Sequence, residues 1–380
     1  TDRDPARPVD GPWRDRLRLL LYADDLVLIG YHERDLQQQL DTLHRFCAGV
    51  GMAVNLAKTQ VVQFYHPLQR PPPTVFTYGA SASRLPLAQV DSYRYLGFEL
   101  HATLAPDRHG IPDRLAAARR ALFALEADCR ILNIRSFETR LRLFDATVQS
   151  VALYACAAWL PFTRPDWRKS DFEVLHREFL LRLGRLRRGT LRSALLWEFG
   201  RLPMQRIALA QTLRFHNRLC DGGRCAPYMF SRVRDFVRGD DQGPPHQLRS
   251  KLQLWLQRVH VLLELPGDPP TLLRNHRLLP VDLPAYLGRY DSSYKASLIR
   301  DLDPAHPTSR HRATYGSWRG EFGSARAADA PGAGPRTPVA RLAFHRFRLL
   351  NHDLPIEAGA RMGLPRATRT CPHCTPHPPN

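Results

Sequence analysis

Two aspartates stand side by side, Asp24 and Asp25, between the short apolar runs Leu17–Leu21 and Leu26–Gly30. Apolar runs of this length bracketing a tight turn predict a β-hairpin buried against a core, with both carboxylates at its tip. Adjacent carboxylates repel one another unless cations neutralise them. Hard oxygen donors suit Mg²⁺ or Mn²⁺, whose charge can be shared with bound phosphates. An acidic pair of this kind is half of a two-metal site, in which ions roughly 3.5–4 Å apart stabilise the attacking and leaving oxygens of phosphoryl transfer. The dipeptide alone is equally a solvated turn or a helix cap. The flanking strands favour chemistry, because a turn clamped between them holds its carboxylates rigidly.

The rest of the chain reads as α+β. Leu36, Leu40, Leu43 and Cys47 recur at helical spacing over residues 34–49, and Gly49 and Gly51 supply a stop. Candidate strands follow at 52–55, 59–65, 75–78 and 93–100, with the proline run 71–73 as a loop. From Ile111 the period changes. Leu115, Ala118, Leu122, Leu125 and Cys129 mark one helical face, and Ser136 caps a second helix that runs to about Trp159. Further helices are expected at 168–184, 203–219 and 248–265, separated by Pro and Gly clusters at 221–227, 239–245 and 266–270. Residues 303–338 read as a linker and 339–351 as a short basic helix.

Charge narrows the class of partner. The net charge is +19, yet the first 100 residues hold 11 basic and 11 acidic side chains, so the whole excess falls beyond them. Such an excess suits a polyanion, because Lys and Arg gain affinity by releasing counterions from phosphates. Arg182–Arg192 and Arg341–Arg348 mix cations with apolar or aromatic residues. Either could grip a nucleic-acid backbone or be a solvated helix face. No window of about 20 residues is free of charge, and the N-terminus lacks the order of a signal peptide, which points to an intracellular chain that neither spans a membrane nor is secreted. The seven cysteines, at 47, 129, 156, 220, 225, 371 and 374, suit reduced thiols and one metal site better than a disulfide framework.

Leu20-Leu21-Tyr22-Ala23-Asp24-Asp25-Leu26-Val27-Leu28 resembles the metal-binding hairpin of reverse transcriptases, in the form found in non-LTR (LINE-type) retrotransposons. More blocks follow in the family's order. Gly51-Met52-Ala53-Val54-Asn55-Leu56-Ala57-Lys58-Thr59 is similar to the next palm block, and Tyr93-Arg94-Tyr95-Leu96-Gly97-Phe98 to the hairpin that holds the primer end. Glu198-Phe199-Gly200-Arg201-Leu202-Pro203 resembles a block beyond the thumb. The stretch from Arg341 through Leu354-Pro355-Ile356-Glu357 to Arg369-Thr370-Cys371 resembles the approach to a C-terminal cysteine-histidine motif.

The resemblance implies an RNA-directed DNA polymerase working on an RNA template, a DNA primer and deoxynucleoside triphosphates, in the nucleus or cytoplasm of a eukaryote. It places Asp24 and Asp25 in the Mg²⁺ or Mn²⁺ site, with Asp24 the principal ligand. Tyr22 and Ala23 would shape the tip, and Lys58 would lie near the departing pyrophosphate. Tyr95, Leu96 and Gly97 would orient the primer strand. Arg182, Arg185, Arg187 and Arg188 are the candidates for gripping the duplex. The implied division is a leader over 1–16, a partial palm over 17–105, a helical thumb over 106–200, a helical connection over 201–302, the linker, and a basic helix with its tail over 339–380. Cys371-x-x-Cys374 has the spacing of half a zinc site, with His377 a third candidate ligand.

Departures from the family set a further expectation. The family's third carboxylate lies far upstream of the hairpin, and Asp2, Asp4, Asp10 and Asp15 are too close in sequence to replace it. Fingers and endonuclease have no counterpart. The chain therefore reads as a C-terminal piece or decayed copy, expected to bind metals weakly, to be inactive alone, and to leave one side of its palm sheet uncovered. Two alternatives stand beside this reading: a non-catalytic basic nucleic-acid-binding protein derived from a retroelement, and a group II intron or telomerase-like polymerase. The oligomeric state is open.

Overall fold

Helix α1, Glu33–Val50, organises the first part of the molecule. In the computed structural model, which describes residues 18–301 apart from 66–67, 81–82, 104–107, 222–244 and 275–276, it follows the hairpin of β1 (Leu19–Tyr22) and β2 (Asp25–Leu28). Leu40 and Cys47 are buried, as the helical spacing predicts. The helix ends where Gly51 takes φ 70°, a left-handed conformation that glycine adopts without a Cβ clash. Leu40 joins Val61, Phe76, Tyr78 and Leu87 in a small core, against which Leu28, Leu36, Leu43, Val54 and Leu56 pack.

Among the described residues every sheet is two-stranded. β3 (Gln60–Val61) runs parallel to β6 (Ala88–Gln89), and β4 (Thr77–Tyr78) antiparallel to β5 (Leu85–Pro86). The Gln37 side chain docks β4 on α1, donating to the Thr77 carbonyl at 2.9 Å and accepting from the Thr77 N–H at 3.0 Å. β7 (Ser92–Tyr95) and β8 (Phe98–His101) form a second hairpin. The α+β reading is borne out. The strands expected at 52–55 and 59–65 are shorter: no strand forms over 52–55, and only Gln60–Val61 pairs. Val54 and Leu56 are apolar because they pin a loop to the core.

The described residues up to Asp113, with segments of 216–250 and 272–280, form one unit, and the others form a second. The second is helical. α2 (Gly110–Ile131), which begins in the first unit, buries Ala118, Leu122, Leu125 and Cys129, the face its period marks. Ser136 caps the next helix as expected, its hydroxyl accepting from the Thr139 N–H at 3.3 Å. The single helix predicted from Ser136 to Trp159 is, however, interrupted. α3 (Phe137–Leu143) passes through a π-helical turn, Phe144–Gln149, into α4 (Ser150–Ala152). Thr147 and Ser150 donate their hydroxyls to the carbonyls of Leu143 and Ala146, a back-bonding that loosens the ladder there. The chain then breaks before α5 (Cys156–Trp159), where Ala155 has φ 54°. The break lets the buried Trp159 indole donate to the freed Tyr154 carbonyl at 2.9 Å.

Helices α6 (Asp171–Leu183), α8 (Met204–Asp221) and α9 (Pro245–Leu262) fall near their expected positions. Two more were not anticipated, α7 (Arg192–Glu198) and α10 (Leu283–Asp301). A short antiparallel pair, β9 (Leu273–Arg274) and β10 (Arg277–Leu278), precedes α10. α10 buries Tyr286, Tyr290 and Tyr294 at four-residue spacing. Among the described residues, no single helix is long and apolar enough to cross a membrane. The predicted linker 303–338, the basic helix 339–351 and the cysteine tail lie outside the described residues.

Candidate active site

The register Leu19↔Leu28, Leu20↔Val27, Leu21↔Leu26 and Tyr22↔Asp25 leaves Ala23 and Asp24 as a two-residue loop. Ala23 carries φ 52°, an uncommon conformation for a residue with a side chain. Asp25 closes the last strand pair and Asp24 occupies the turn, so both carboxylates sit at the tip, exposed. The hairpin itself is less buried than the sequence predicts. Leu21 is 66% and Tyr22 63% exposed, and Leu19 and Leu26 are exposed as well. The physical reason is that the core reaches only the base of the hairpin, where Leu28 packs.

That base is tied to α1 by polar contacts. The Asp35 carboxylate accepts from the Arg18 guanidinium at 2.8 Å and from the Tyr31 N–H at 3.2 Å. One turn further on, Gln39 donates its side-chain amide to the Ile29 carbonyl at 3.0 Å. Gly30 passes so close to α1 that a Cβ there would lie 2.5 Å from the Leu36 Cβ, so the position requires glycine for space. Sequence reasoning missed Asp35, Gln39, Arg18 and Gly30 as parts of the site. Asp35 reads there as an ordinary acid in a helical first turn, and nothing links it to Arg18, 17 residues earlier.

The other expected residues of this unit occupy separate turns. Tyr95 and Phe98 pair across β7 and β8, leaving Leu96 and Gly97 at φ 47° and 81°. Both loop residues being left-handed matches the twist of a tight hairpin; Gly97 accepts this at little cost, whereas Leu96 is strained. Lys58 is exposed on a turn built by Asn55, whose side-chain oxygen accepts from the Lys58 N–H at 3.3 Å and whose carbonyl accepts from the Thr59 N–H at 3.0 Å. The Asn and the Lys-Thr of this motif thus form one local structure.

The arginine candidates belong to the helical unit. Arg182 pairs with Glu178 and lies 5.0 Å from the Phe123 ring centroid. Arg185, Arg187 and Arg188 are exposed on the turn after α6, which Arg177 braces by donating to the carbonyls of Arg188 and Thr190. Cys371, Cys374 and His377 lie outside the described residues. The block Glu198–Pro203 is a structural hub. Arg201 forms a two-pronged pair with Asp145, one contact at 2.9 Å, and its Nε donates to His176 Nε2 at 3.3 Å. Because a guanidinium can only donate, His176 Nδ1 carries the proton and donates to the buried Glu173, 3.3 Å away. Burial holds the His176 pKa below its ordinary value, with Glu173 opposing the shift.

Two neighbouring carboxylates on an exposed hairpin supply hard oxygen donors for a divalent cation that keeps several waters and binds phosphate as well. Among the described residues, no group of three or more His, Cys, Asp or Glu gathers as a metal site, and the tip itself presents two carboxylates. Residues 6–100 match the family described as reverse transcriptase (RNA-dependent DNA polymerase), a span that includes Asp24, Asp25, Lys58 and Tyr95–Gly97. The chain is also 31% identical over 144 residues to an uncharacterised transposon-derived protein of Caenorhabditis elegans, covering 37% of this chain and 48% of that relative. The match thus spans about half the length of the relative. No solved structure matches the chain. Together these findings bear out the resemblance to a retrotransposon reverse transcriptase.

Proposed function

We propose that the chain carries the rear palm, over 17–105, and the thumb, over 106–200, of a non-LTR retrotransposon polymerase that copies RNA into DNA with deoxynucleoside triphosphates as substrates. The observation that carries this reading is the two-residue turn presenting Asp24 and Asp25 inside the segment that matches the reverse transcriptase family. Asp24 and Asp25 would hold Mg²⁺ or Mn²⁺. Bound there, the ion would neutralise phosphate charge and stabilise the attacking and leaving oxygens. Tyr22 and Ala23 bound the tip beside the primer end. The Leu96–Gly97 turn brings backbone close to the primer strand, and the Lys58 ammonium can balance charge on the leaving pyrophosphate. Arg185, Arg187 and Arg188, on their braced turn, offer guanidiniums to the phosphate backbone. The cysteine tail would add a structural zinc site only if further ligands join Cys371, Cys374 and His377.

Two carboxylates are a thin ligand set, and we expect the chain alone to bind Mg²⁺ weakly and to extend primers little, if at all. The test is primer extension on an RNA template with Mg²⁺ or Mn²⁺, using the chain and a version extended upstream in its own reading frame. Extension by the longer version, abolished by Asp24→Ala, supports the polymerase reading. If neither version extends while salt-sensitive RNA–DNA binding survives Asp24→Ala, the second reading replaces it, a non-catalytic basic nucleic-acid-binding protein. That alternative draws on the net charge of +19 and the two-ligand tip.

A further inference from the structure

The exposed tip poses a mechanical question: what fixes the position of Asp24 and Asp25? The ladder between β1 and β2 ties the strands to each other and not to the rest of the protein. From Arg18 and Ile29 to the turn the hairpin rises about 17 Å, at roughly 3.3 Å per residue. A tilt of about 5° at the base would therefore move the carboxylates by about 1.5 Å, and misplacement by about 1 Å can cost about a hundredfold in rate.

The base is where one side chain touches both arms. Asp35 Oδ1 accepts from Arg18, the residue before β1, and Asp35 Oδ2 accepts from the N–H of Tyr31, just beyond β2. The Arg18 carbonyl in turn accepts from the Ile29 N–H at 2.8 Å, so the two arms are also joined to each other at this level. Gln39, on the same helical face one turn later, holds the Ile29 carbonyl, and Leu36 fills the space that Gly30 leaves open. Asp35 is the only one of these groups that engages both ends of the hairpin.

We propose that Asp35 is a positioning residue for the Asp24–Asp25 turn, stapling both arms of the hairpin to α1, with Gln39 as its second point of attachment. This rests on the reading of the turn as a metal site. The competing role is generic: an acid in the first turn stabilises any helix through its dipole. The two roles differ in what they leave untouched. A staple confines its effect to the hairpin, whereas a helix-stabilising acid acts on everything packed against α1.

The test combines amide hydrogen exchange with Mn²⁺ titration on the full chain, comparing the natural sequence with Asp35→Ala, Asp35→Asn and Gln39→Ala. Expected is exchange about tenfold faster over residues 19–28 in Asp35→Ala, with Val61, Tyr78 and Leu87 within about twofold of the natural protein. Asp35→Asn, which keeps an oxygen for Tyr31 but loses the negative charge that faces Arg18, should fall between. Mn²⁺ affinity should weaken in the same order. A uniform rise across 19–101, or no rise at 19–28, overturns the proposal. If Asp35→Ala fails to fold, Asp35→Asn and Gln39→Ala decide by the same criterion. Failure of the metal reading is separately visible: Mn²⁺ binding by the natural chain would then be unaffected by Asp24→Asn, while the exchange pattern still shows whether Asp35 holds the hairpin.

Discussion

The two units stabilise themselves in different ways. The helical unit buries Trp159, Trp167, Phe144, Phe179 and three tyrosines of α10, and adds paired charges such as Arg206–Asp291 and Arg168–Asp301. Among the described residues, the unit that bears the acidic turn packs α1 and its strands on a cluster of five buried side chains, none larger than Phe or Tyr, and its sheets have two strands. Large aromatic side chains bury 150–250 Å² each, whereas a two-stranded ribbon is marginal without something packed on it. The candidate chemistry thus sits on the thinly supported part, where a few polar contacts at the base replace a broad core.

This contrast can be broken by substitution. The largest effect is expected from truncating the helical core: Phe144→Ala or Trp159→Ala should cost about 3–5 kcal/mol in urea unfolding. Leu40→Ala should cost about 2–4 kcal/mol, read as loss of protection in residues 19–101. Equal protection at 19–28 and in α6 of the natural protein would contradict the contrast. Arg201→Met comes next. It strands Asp145 and the acceptor nitrogen of His176, for an expected loss of about 1–3 kcal/mol, moderated because Asp145 retains access to water.

The buried histidine adds a pH dependence. The His176 pKa is lowered in the folded protein by burial, so below about 6.5 the unfolded chain binds the proton more readily. Its contribution to stability is therefore present above that pH and lost as pH falls toward the folded pKa, with a slope of at most about 1.4 kcal/mol per pH unit. His176→Gln should flatten the slope in the helical unit. The smallest effect sharpens the comparison from the other side. Leu21→Thr, on a strand position largely open to water, should change stability by no more than about 0.5 kcal/mol.

Local features were legible in the sequence. The hairpin announced itself because apolar runs flank a turn with no spare residues, and α1 because its leucines keep helical register up to Gly51. Ser136 was readable as a cap for the same reason: its hydroxyl serves a backbone group three residues away. Val54 and Leu56 misled, since an apolar loop pinned to a core has the composition of a strand. α10 was hidden by Pro284, Gly288, Ser292 and Ser293, which mask the spacing of its tyrosines. What the sequence could not show was tertiary. How far the core extends under the hairpin, and which acid meets which arginine, as in Asp35 with Arg18 or Asp145 with Arg201, depend on distances between segments that no local pattern encodes. The acidic turn was readable from the nine residues Leu20–Leu28, but the structure that holds it was not.

The most direct test of the central claim is paramagnetic mapping with Mn²⁺ on the full chain in the presence of a deoxynucleoside triphosphate. Selective broadening of amide signals at residues 22–26, abolished by Asp24→Asn or Asp25→Asn, is the predicted result. Broadening that ignores this turn, or that survives both substitutions unchanged, would show that the acidic pair holds no metal–phosphate complex.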